Sequence, residues 1–250
     1  MAARTDHDER AEADASAETA APKRRGASRL AMAVSILGEL LITAGLVLGL
    51  FVVYSLWWTN VVADRKADKQ GDKVRDNWAQ DKSGPGALDT KDGIGFLHVP
   101  SMKNGEVLVE KGTSTKVLND GVAGYYVDPV KATLPMTDKT GNFTLAAHRD
   151  GHGAKFHNID KIKKGDPIVF ETKDDWYVYK VFSILPETSK YNVKVLQSVP
   201  KQSGRTKPGH FITLTTCTPV YTSEYRYIVW GELERVQKVD SARTPPKELG

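Results

Sequence analysis

One cysteine, Cys217, stands alone in 250 residues. It closes the run Phe211-Ile212-Thr213-Leu214-Thr215-Thr216. Runs of β-branched and apolar residues form strands. A thiol at a strand's end is held by a rigid element yet reaches the rim, where a substrate can meet it. A nucleophilic thiol needs a partner that takes and returns a proton, and a donor for the oxyanion. Among the six histidines, His148 fits the first need, because it directly follows the buried run Phe143-Thr144-Leu145-Ala146-Ala147 and so also sits at a strand's end. Arg226, one residue into the strand from Tyr225 to Val236, can meet the second. The competing readings are a small buried hydrophobe for Cys217 and a surface charge for Arg226. Thiol and imidazole have reference pKa values of about 8.5 and 6.5, so a thiolate–imidazolium pair is a minor form at neutral pH unless the site shifts them.

The other histidines carry less. His7 lies in a polar tail, and His98 and His210 alternate within strands as structural residues do. His148, His152 and His157 share a Gly-rich stretch, but no carboxylate or cysteine completes a ligand set in sequence. No metal and no cofactor are therefore expected.

The elements that must position these side chains follow. Residues 1–29 are rich in Ala, Glu, Asp, Thr and Ser without apolar periodicity and read as a disordered segment. Residues 30–58 are almost wholly apolar, longer than the ~20 residues that span a bilayer, and end in Tyr54, Trp57 and Trp58 like an interfacial belt. They read as an uncleaved membrane anchor. Lys/Arg counts nearly tie across it: Lys23, Arg24, Arg25 and Arg29 before, and Arg65, Lys66, Lys69, Lys73 and Arg75 after. Residues 59–92 alternate Asp with Lys and Arg and reach Ser83-Gly84-Pro85-Gly86, a polar stalk, partly helical near the membrane, that serves as a spacer rather than a binding helix. From 93 to 236 short strands alternate with turn signals: Gly95 to Pro100, Glu106 to Glu110, Phe143 to Ala147, Pro167 to Thr172, Trp176 to Leu185, Phe211 to Cys217 and Tyr225 to Val236. That spacing predicts an all-β barrel or sandwich. Residues 237–250 read as a flexible tail. A lone cysteine rules out an internal disulfide, and a formal charge of +4 with scattered basic residues argues against a nucleic-acid partner.

At this point the motifs resemble a family. Thr213-Leu214-Thr215-Thr216-Cys217 resembles the TLxTC signature of the sortases, the cysteine transpeptidases of Gram-positive cell surfaces. Leu145-Ala146-Ala147-His148-Arg149 resembles their histidine segment, and Tyr225-Arg226-Tyr227-Ile228-Val229 their last strand with its arginine. Gly124-Tyr125-Tyr126, where many sortases carry Gly-His-Tyr, is similar to class E, the housekeeping enzymes of many actinobacteria. The resemblance implies a closed β-barrel of about eight strands over 93–236. It implies cleavage of a Leu-Ala-x-Thr-Gly-type (or Leu-Pro-x-Thr-Gly) sorting signal between Thr and Gly, through a thioester. The partners implied are secreted proteins bearing that signal, a peptidoglycan precursor amine of the lipid II type, and membrane lipid. Cys217, His148 and Arg226 would be catalytic. Tyr125 would help select alanine in the signal, and Thr216 would either bind substrate or simply pack in its strand. The domain would lie outside the cell. The alternatives are a pilin-polymerising sortase, although no Asp-Pro-aromatic lid precedes the barrel, and a non-catalytic tethered binding module with an inert thiol. An L,D-transpeptidase wants a His-Gly-Cys context that Thr215-Thr216-Cys217 lacks.

Overall fold

The computed structural model describes residues 28–80 and 93–250. The expected disorder before residue 28 and the Gly/Pro break of the stalk lie outside the described residues. The chain divides after Leu48 into two compact units.

Helix α1 (Arg29–Val53) is apolar on every side and buries none of its residues. A helix that is apolar all round needs an apolar environment, either a protein core or a membrane. Among the described residues, one helical stretch, Arg29–Ala79, is long and apolar enough to cross a membrane. A π-helical turn at Tyr54–Trp58 leads into α2 (Thr59–Ala79).

Eight strands form the closed barrel: β1 (Gly95–His98), β2 (Glu106–Lys111), β3 (Ala123–Tyr125), β4 (Gly141–Ala146), β5 (Pro167–Glu171), β6 (Asp175–Ser189), β7 (His210–Thr218) and β8 (Tyr225–Lys238). Around the barrel they run β1-β2-β3-β4-β7-β8-β6-β5. The β2–β3 and β4–β7 pairs are parallel. Side chains alternate across each strand. Phe143, Leu145 and Ala147, Ile212 and Leu214, and Tyr227 and Val229 all join the interior core. Their neighbours face out. Of these, Ile228 and Trp230 are covered by Val195 and Leu196, with Tyr126 and Val130 packed alongside. All the expected strands are present; β3, only three residues long, adds one that the sequence pattern does not display.

Two terminal segments depart from expectation. The spacer reading fails over Thr59–Ala79, where α2 buries Ala63, Ala67, Gly71, Val74 and Trp78, a stripe at spacings of three and four. That stripe packs on Phe96, Leu108 and Val122, with the Trp78 ring edge-on to Phe96 at 5.5 Å. Burying a side chain such as Val74 contributes about 1.5–3 kcal/mol, enough to outweigh the helix's polar composition. The tail is not loose either. Val239 and Leu249 pack against Val169, Trp176 and Val178, and Arg235 grips Glu248 through two hydrogen bonds of 2.8 and 2.6 Å.

Both segments meet at Glu171, which is 2% exposed. It accepts from Arg75 of α2 at 3.1 Å and from Arg243 of the tail at 2.7 Å, and lies 2.9 Å from His98 Nε2. Burial alone would raise its carboxyl. Hydrogen bonds from His98, Arg75 and Arg243 overcome that and bring it down to about 2.

Candidate active site

Strand register assembles the site. In the parallel β4–β7 pair Ala146 lies beside Thr215, so His148 and Cys217, each two residues further, reach the same level. In the antiparallel β7–β8 pair Cys217 lies directly opposite Arg226. Adjacent strands stand about 4.8 Å apart, so His148, Cys217 and Arg226 form one row across three strands. Alternation puts all three on the outer face. His148 follows inward-facing Ala147, and Arg226 precedes inward-facing Tyr227. Cys217 shares a face with Thr215, whose hydroxyl is 3.0 Å from the outward Tyr126 phenol. All three are half-buried, so they are sheltered but reachable.

Arg149 fixes the row from behind. It is buried, bonds Thr218 Oγ1 at 2.8 Å and the Cys217 carbonyl at 3.4 Å, and pairs with Asp160 at 3.1 Å. The residue after the histidine thus ties the end of β4 to the end of β7. The His148 imidazole lies 2.8 Å from Asn119 Oδ1 through Nε2 and packs on the His152 ring at 5.5 Å between centroids. Burial lowers its pKa, the nearby His152 lowers it further, and Asp150 opposes them. Arg226 is held by its own loop, Nη1 donating to the carbonyls of Ser223 and Tyr225 at 3.1 and 2.9 Å. A thiol, an imidazole whose charged form burial disfavours and a guanidinium in one row can perform acyl transfer through a covalent intermediate.

The Sortase domain family matches residues 97–234. The chain belongs to the sortase family. It is 72% identical to Sortase SrtE2 of Streptomyces coelicolor, with 100% of both chains covered. It is 48% identical to Sortase SrtE1 of the same organism over 79% of this chain and 56% of that one. The crystal structure of Sortase E1 from S. coelicolor with a tripeptide in the active site matches at 47% identity and a TM-score of 0.59, covering 63% of this chain and 96% of that chain. Sortase E of Streptomyces avermitilis matches at 30% identity and a TM-score of 0.54, covering 63% and 97%. These relatives support class E. Sortases are cysteine transpeptidases that act in cell-wall anchoring, and this chain is an enzyme of that kind.

Two expected site residues of this sortase fall elsewhere. Tyr125 pairs with inward-facing Leu145 and is 6% exposed within the interior core, so the structure does not bring it to the row. Its neighbour Tyr126 takes the outward place. Burial raises the Tyr126 phenol, the Thr215 bond and Arg226 lower it and Cys217 raises it, which puts this ring within electrostatic reach of the row. Thr216 is 3% exposed and donates its hydroxyl to the Ala147 carbonyl at 2.7 Å. That geometry matches the packing reading, since the hydroxyl joins the two strand ends. Sequence reasoning missed Asn119 and gave His152 only a place in a histidine cluster; both touch His148 from loops. His98, Glu106 and Glu171 place ligand atoms within 4.8 Å of one another. There the Arg75 guanidinium bonds both carboxylates, so an organic cation already holds the centre.

Proposed function

We propose that this sortase cleaves a Leu-Ala-x-Thr-Gly-type sorting signal between Thr and Gly and joins the freed Thr carboxyl to a peptidoglycan precursor amine. The observation that carries the reading is the outer-face row of His148, Cys217 and Arg226. The thiol passes its proton to His148, and Sγ attacks the Thr carbonyl carbon. Arg226 stabilises the oxyanion that forms. As the C–N bond breaks, the imidazolium returns its proton to the leaving glycine amine, and a thioester remains. An incoming amine attacks the thioester, loses a proton to His148, and releases Cys217 as thiolate. The α1 helix anchors the enzyme, with the barrel outside the cell, where both substrates are found.

The test uses the full chain in detergent micelles and quenched peptides carrying Leu-Ala-x-Thr-Gly or Leu-Pro-x-Thr-Gly. Wild type cleaves the alanine peptide faster, and hydroxylamine traps the acyl group as a hydroxamate. Cys217→Ala abolishes cleavage. Cleavage that survives this substitution refutes the mechanism, and faster cleavage of the proline peptide refutes the signal.

A further inference from the structure

We propose that α2 is a positioning element of the active site, because Asn60, Ala63 and Asp64 pin the two loops that hold His148. The inference rests on reading His148 as the group that moves the proton.

His148 leans on two residues beyond its own strand, Asn119 through Nε2 and His152 through its ring. Neither belongs to a barrel strand. His152 sits in a loop of four consecutive positive-φ residues: Gly151 at 65°, His152 at 46°, Gly153 at 82° and Ala154 at 41°. Histidine tolerates this region better than most residues, but alanine seldom adopts it, and a run of four such residues stays there only where the surroundings over-determine it. Helix α2 supplies the surroundings. Asn60 Oδ1 accepts the Gly153 amide N–H at 2.9 Å, and Asp64 pairs with Lys155 at 2.7 Å.

The Asn119 loop is held by the same two turns of helix. Lys66 pairs with Asp120. Gly121 packs so closely that a Cβ there would stand 2.8 Å from the Ala63 carbonyl oxygen. The two loops also touch each other: a Cβ on Gly153 would lie 3.3 Å from Gly121 Cα and 2.9 Å from Asp64 Oδ1. Half-exposed ion pairs hold little on their own. The Asn60 bond to a backbone amide and the Gly121–Ala63 contact therefore carry most of the restraint. The segment joining the candidate membrane span to the barrel is thus built into the support of the imidazole.

The titratable and charged groups around His148 are His152 and Asp150 from its own loop, and Cys217 and Arg226 in the row. Freeing the loop admits water to the ring and moves His152 away, and both changes raise the imidazole pKa. The experiment follows the His148 ring by NMR across pH in the full chain in micelles, beside kcat and KM for the sorting-signal peptide. Asn60→Ala is expected to move the His148 midpoint upward and to lower kcat roughly tenfold with KM unchanged, as misplacement of a reacting group does. Asn60→Asp keeps the acceptor and restores kcat; its added negative charge itself favours the imidazolium, so rescue is read on kcat and not on the midpoint. Asn60→Leu, which keeps the volume but loses the acceptor for the Gly153 amide, is read in the same way should Asn60→Ala fail to fold. An unmoved midpoint overturns the inference, as does a kcat loss that Asn60→Asp does not rescue. The titration needs no substrate, so it reports on the clamp even if Cys217→Ala were to disprove the proposed chemistry.

Discussion

At the scale of residues, the surroundings of His148 set what a pH profile should show. Burial and His152 hold the His148 imidazole below its ordinary 6.5, against Asp150. The acid limb of kcat/KM reports protonation of the group that takes up the thiol's proton, His148 in the proposed mechanism. Its midpoint is expected below 6.5 in a pH profile. Asp150→Asn removes the opposing charge yet can still accept the Tyr221 amide N–H. That variant moves the limb lower still; an upward move would show that the Asp150 charge does not hold the imidazole up. A second expectation separates two adjacent tyrosines. Tyr126→Phe deletes one hydroxyl contact on the outer face, which is worth about 1 kcal/mol, or roughly fivefold in kcat/KM. Tyr125→Phe, inside the barrel, is expected to change the melting temperature and leave cleavage within about twofold. The reverse ranking in a peptide-cleavage assay would return Tyr125 to the site.

At the scale of elements, Glu171 joins three segments that are distant in sequence: β5 itself, α2 through Arg75 and the tail through Arg243. Its folded carboxyl lies at about 2 against 4.5 for an ordinary one. A depressed carboxylate stabilises the fold fully above about 4.5 and loses that contribution as pH falls toward 2. The shift corresponds to at most about 3 kcal/mol. Thermal melts of Glu171→Gln should show most of the loss at neutral pH and little difference from wild type near pH 2. A difference that stays constant with pH would mean that packing, not charge, is what the substitution removes. The same segments show where sequence is readable. Phe143–Ala147 and Phe211–Cys217 announce themselves by β-branched apolar runs, so residue types alone place His148 and Cys217 at strand ends. Strand β3, Ala123–Tyr125, is too short to display a period, and the inward turn of Tyr125 depends on its pairing with Leu145. The α2 stripe is hidden because three of its five residues, Ala63, Ala67 and Gly71, are too small to stand out as an apolar face among so many charges. Asn119 and His152 reach His148 only through loop geometry, which no spacing rule encodes.

At the scale of the whole molecule, the charge count that leaves membrane orientation undecided takes on a different meaning. Lys and Arg beside a span bias its topology, and acidic residues contribute little. Of the five cationic residues that follow the span, Lys66 pairs with Asp120, and Arg75 bonds Glu106 and Glu171. In the proposed orientation these two serve the barrel outside, and the cluster Lys23, Arg24, Arg25 and Arg29 stays on the cytoplasmic side. Helix α1, at 25 residues, is about 37 Å long and covers a hydrocarbon core of about 30 Å. The expected outcome is a chain that stays with the membrane through high salt and alkaline carbonate and leaves it only in detergent. Cysteines introduced on either side of the span in the Cys217→Ala background then report the side of the membrane. Ser223→Cys labels with a membrane-impermeant maleimide on intact cells, and Ser16→Cys labels only after lysis. The opposite pattern would place the row of Cys217, His148 and Arg226 inside the cell, away from any wall precursor. Lys66→Ala and Arg75→Ala leave this labelling unchanged if those two charges belong to the barrel rather than to the topology signal.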